Sequence, residues 1–121
     1  MTTRRFLAHY VCWGKEVKPM SLMCVEPRLH TVTVSPYERE IAGTRFCDGI
    51  LLATNAAFEA EKHHILAELK AKGLFSLPIL ATYLADTALL SRYCMPPVCC
   101  LYTLVPSLQT KDISLHEILP L

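Results

Sequence analysis

The chain has 121 residues, the commonest size for one domain and enough to bury a core without disulfides or metal. Its net charge is +1, and the basic residues are scattered rather than gathered into a stripe, which excludes the electrostatic signature of phosphate or nucleic-acid binding. An apolar fraction of 52 % and a mean hydropathy of +0.30 exceed what a domain this small readily hides, so part of that surface is expected against a partner, most simply a second copy in a homodimer.

The start, Thr3-Arg4-Arg5-Phe6-Leu7, resembles a twin-arginine export signal only in its first residues. His9 interrupts the apolar run, Lys15, Glu16 and Lys18 end it, and no small-residue cleavage site follows. Residues Arg5 to Trp13 are instead expected as a strand, with Phe6, Ala8, Tyr10 and Cys12 on one face and Leu7, Val11 and Trp13 on the other. Two apolar faces mark an interior strand. Leu22 to Val25 reads as a short strand, and the bracketing Pro19 and Pro27 favour an edge or an irregular segment.

Leu29 to Val34 alternates at the period of a strand. Ser35-Pro36-Tyr37-Glu38 has capping-box spacing with proline at the first helical position, which predicts a short helix ended by Gly43; a hairpin loop is the alternative. Thr44 to Ala53 is expected as a strand with a bulge at Gly49.

A helix is predicted from Ala56 to Lys72, capped by Asn55 and closed by Gly73, with Leu74 turned back toward Leu69. Its acidic residues lie early and its lysines late, as the helix dipole favours. Phe58, Ile65, Leu66 and Leu69 form its core stripe. Ala56, Ala60, Ala67 and Ala71 line the other side, which suits either close contact with another element or simple helix propensity. Ser76 is expected to cap a second helix ended by Pro96 and Pro97, giving an αα-hairpin. Within this stretch the apolar run from Leu77 to Leu90 is too short for a bilayer and contains Asp86. Val98 to Val105 returns as an apolar strand, and a short terminal helix is expected to start at Asp112 or Ser114, the latter with capping-box spacing to Glu117.

Together these elements predict one cytoplasmic α+β domain over residues 1–121: a small, largely antiparallel sheet of three to five strands packed against an αα-hairpin.

No reactive constellation stands out. Glu61 and His64 have the i, i+3 spacing of di-iron bundles but lack the second pair such sites require, so no metal or cofactor is expected. Cys94, Cys99, Cys100 and His116 fail as a zinc set, since adjacent strand residues point to opposite faces. The six cysteines include no Cys-x-x-Cys pair and read as buried thiols. The candidate ligand-binding residues are His9, His30, Cys47 and Tyr10, which neighbouring strands are expected to gather into one His/Cys-lined pocket. The expected function is a non-enzymatic binding or interaction protein acting as a homo-oligomer, without nucleic acid or membrane. The alternative is a small ligand-binding domain or enzyme built on that pocket.

Overall fold

The computed structural model describes residues 3–39 and 42–121. Its strands are β1 (Arg4–Trp13), β2 (Glu16–Glu26), β3 (Thr31–Pro36), β4 (Thr44–Thr54), β5 (Cys100–Ser107) and β6 (Asp112–Pro120). Between β4 and β5 lie the helices α1 (Ala56–Ala71), α2 (Leu77–Asp86) and α3 (Leu89–Tyr93). The class is α+β, with a sheet larger than expected: six strands in the order β3-β2-β1-β4-β5-β6. Every neighbouring pair is antiparallel except β1 with β4, which makes the sheet mixed.

The sheet coils on itself. His30 in the β2–β3 turn and Val98 ahead of β5 belong to opposite ends of the strands, about 30 Å apart in a flat sheet. Yet His30 Nδ1 donates to the Val98 carbonyl at 3.2 Å, which calls for the Nδ1–H tautomer. Diagonal corners of the sheet therefore fold over one another. Phe6, Met23, Val25, Leu51 and Leu101 form an inner core on the concave side, to which no helix contributes a buried residue. Val32 and Val34 reach it from one edge strand, Ile118 and Leu119 from the other.

Bulges produce the bend. Between Ala8/Cys47 and Tyr10/Ile50, β4 spends one residue more than β1, at Asp48–Gly49, and Gly49 has φ +80°. Ala8 and Val11 both join the inner core, so His9 and Tyr10 point outward in succession. This corrects the expected faces of β1: Phe6, Ala8, Val11 and Trp13 look inward, while Tyr10 and Cys12 look outward.

The helices pack on the convex side, where Ile50, Leu52, Tyr102 and Leu104 meet Phe58, Leu69, Leu80 and Leu84 in a second core. In α1 the Phe58 amide donates to Asn55 Oδ1 at 3.2 Å. At its other end the Leu74 amide reaches Leu69 O and the Gly73 amide reaches Lys70 O, a Schellman closure with Gly73 at φ +69°. The alanine side of α1 is exposed within the chain. No helix among the described residues is long and apolar enough to cross a membrane.

Four expected elements differ. Leu22 to Val25, expected as a short edge or irregular segment, lies within the 11-residue β2, which is interior between β3 and β1. The second helix breaks at Thr87, whose extended backbone ends α2 and whose Oγ1 accepts from the Leu89 amide at 3.3 Å to begin α3. Ser35 and Pro36 end β3 instead of starting a helix, and Tyr37 to Arg39 are irregular; Glu40 and Ile41 lie outside the described residues. The expected terminal helix is β6. Its capping-box spacing yields to a ladder with β5 that buries Ile113, a non-local gain that local capping does not match.

Candidate functional site

The four candidate residues take up separate places. His9 is exposed on the outer face, its ring edge-on to Phe46 with centroids 5.2 Å apart. Tyr10, the next residue, is half-buried against the helix-side core. Cys47 points into the inner core. His30 sits exposed in the β2–β3 turn at φ +53°. His9 lies level with Met20 and His30 beyond Glu26, so the histidines are roughly 20 Å apart along β2. The sheet itself separates His9 from Cys47, and no Cys–His pair is formed among the four.

Four of the six thiols, Cys12, Cys47, Cys94 and Cys100, are buried. Burial pushes the Cys47 thiol up, with Arg45 opposing that rise and Asp48 adding to it. Burial raises Cys94 to about 12 and Cys100 to about 11, and it raises Cys12 with a further contribution from Cys94. Below about pH 9 both folded and unfolded chains keep these protons, so stability is undiminished there. Above it the unfolded chain ionises first, and stability is lost as pH climbs through 11 and 12. Urea midpoints should therefore fall across that window, and less steeply for Cys94→Ala; equal slopes would contradict the buried placement. Alkylation of the native protein should label only the half-buried Cys24 and Cys99, the other four reacting after unfolding.

No group of three or more metal-ligating side chains occurs among the described residues. Glu59 accepts from Lys62 Nζ at 2.7 Å and from the Tyr102 hydroxyl, while Glu61 accepts from the Tyr93 hydroxyl. The Lys62 bond, then the Tyr102 bond, lowers the Glu59 pKa. Burial, then Glu59, raises Tyr102 to about 12. These carboxylates tie α1 to the tyrosines beneath it. A cleft of about 370 Å³ between α1 and α3 is lined by Glu61, His64, Glu68 and Arg92, but Glu61 is already engaged by Tyr93.

The most distinctive surface lies where the helices stop. They roof only part of the sheet's convex side. At the end carrying the N-termini of β1 and β4, the cross-strand row Phe46, Leu7, Leu22 and Ser35 faces outward, followed by the row His9, Met20 and Tyr37. None of these joins the helix-side core. Phe46 is 49 % exposed, Met20 44 % and Tyr37 40 %, and Leu29 in the adjoining turn is 64 % exposed. Leu22 is buried, beneath the chain leaving β3 at Pro36 to Arg39.

The two sheet edges differ in how they are defended. β6 carries Asp112, His116, Glu117 and a bulge at Ile118, and Lys70 of α1 pairs with Asp112 at 3.0 Å. These features discourage a further strand. β3 reads Thr-Val-Thr-Val-Ser-Pro, with no charge and no bulge. The Tyr37 amide donates to Met20 O at 3.3 Å, which sets the phase of the ladder. Thr31, Thr33 and Ser35 then bond to β2, while the N–H and C=O groups of Val32 and Val34 face away from it.

No family model, no curated protein and no solved structure matches this chain. Sequence reasoning missed Phe46, Met20 and Leu29 as surface residues. The only signal was Phe46 itself, an aromatic beside Arg45 at the polar end of its strand.

Proposed function

We propose that this chain is a non-enzymatic interaction protein that acts as a homodimer. The observation that carries the reading is the unroofed end of the sheet, where Met20, Tyr37 and Phe46 stand exposed beside the turn residue Leu29. Large apolar side chains gathered on one face, next to a sheet edge, are the ordinary mark of a surface that meets another protein. Cys47 lies in the inner core, apart from His9 on the outer face and His30 in the β2–β3 turn, so the four candidate residues bring no nucleophile and base together, which favours binding over catalysis.

A dimer that stabilises its own fold makes unfolding depend on concentration. The expected result is a Tm that rises with protein concentration across the micromolar range. A wild-type Tm independent of concentration would contradict the homodimer.

A further inference from the structure

Resting on the homodimer reading above, the geometry points to the partner surface: β3 pairs with β3 of a second copy, antiparallel, about a two-fold axis through Thr33. The outward phase of β3 restricts the register. Only Val32 and Val34 present both an N–H and a C=O to an incoming strand, because Pro36 has no N–H to give. Setting Val32 against the partner's Val34 uses all of these groups, and the two-fold axis repeats the exchange, for four hydrogen bonds.

The side chains agree with that register. Val32 and Val34 already lean on the inner core, so each valine meets a valine and the apolar concave face continues into the second copy. Thr33, exposed on the other face, meets its own counterpart, and β-branched and Thr–Thr cross-strand pairs are both favourable. A two-fold contact places each residue near its symmetry mate, so a charged strand would repel itself. β3 carries no charge to do so.

The flanks are complementary as well. Antiparallel pairing brings the start of one strand to the end of the other. Arg28 and the exposed Leu29 precede β3, while the exposed Tyr37 and Glu38 follow it. Arginine is thereby brought toward glutamate and leucine toward tyrosine, twice. A second copy fits this edge better than an unrelated extended peptide, which would need the same absence of charge and the same spacing by coincidence.

The experiment combines sedimentation velocity with amide exchange on wild type, Thr33→Lys and Leu108→Lys. Thr33 is exposed and its side chain supports nothing in the chain, so lysine there leaves the fold intact while setting two like charges against each other on the axis. The expected results are a wild-type dimer with slowly exchanging Val32 and Val34 amides, and a dissociation constant roughly fivefold or more higher for Thr33→Lys, with those amides released. Leu108→Lys, in the β5–β6 turn, should match wild type. A wild-type dimer that Thr33→Lys leaves unchanged, with fast Val32 and Val34 exchange, would overturn β3 pairing while the homodimer stands. A wild-type monomer would overturn both, leaving the edge for a different chain.

Discussion

Gly49→Ala should destabilise the protein by about 3 kcal/mol or more, close to the whole stability of a marginal domain. Gly49 has φ +80°, where an L side chain is strained in any surroundings. A Cβ there would stand 2.1 Å from the Leu104 carbonyl oxygen and 3.0 Å from its carbon. Neither atom belongs to a flexible side chain. Leu104 is held in the ladder opposite Ile50, so relief requires β4 and β5 to separate at the bulge that bends the sheet. Gly14→Ala is the matched control: φ is +65°, but nothing lies within 4 Å of the added carbon. Backbone strain alone should cost it only about 1 kcal/mol. Urea unfolding of both variants separates the two effects, and equal losses would mean that the close approach of β5 is absent.

Leu51→Ala and Leu52→Ala should each cost about 3 kcal/mol. Adjacent strand residues point to opposite faces, so a sheet covered on one side alone would lose heavily at one position and little at the other. Here Leu51 belongs to the inner core and Leu52 to the helix-side core, and both are buried. Two large losses would report two cores on one strand. A large loss at Leu52 with a negligible one at Leu51 would mean that the concave side is open to water, and that the diagonal closure through His30 and Val98 does not form.

What could be read from the sequence followed the range of the forces. α1 was legible from Asn55 to Gly73 because its cap, stripe and Schellman closure are all set by residues a few positions apart. Gly49 was legible as a bulge, since a glycine inside an apolar strand seldom serves otherwise. The apolarity of β1 and β5 on both faces was legible too, but its cause was not. One side is covered by helices and the other by the coiling of the sheet itself, which depends on six strands meeting in order.

β6 was misread because Ser114 and Glu117 satisfy a local helix signal, whereas the ladder with β5 is set by a strand elsewhere in the chain. The break at Thr87 was hidden in the same way by continuous apolar periodicity. Among candidate site residues, His9 and His30 were expected to meet on neighbouring strands, but the register of β1 on β2 sets His9 level with Met20 and leaves His30 beyond Glu26. The surface at β3 was legible as a strand but not as an edge. Edge status is a property of strand order, and nothing within Thr31–Pro36 encodes it.

Static light scattering across the micromolar range tests the central claim most directly. Self-association predicts a mass approaching twice the 13.6 kDa of the chain as concentration rises. A mass that stays at 13.6 kDa throughout would contradict it.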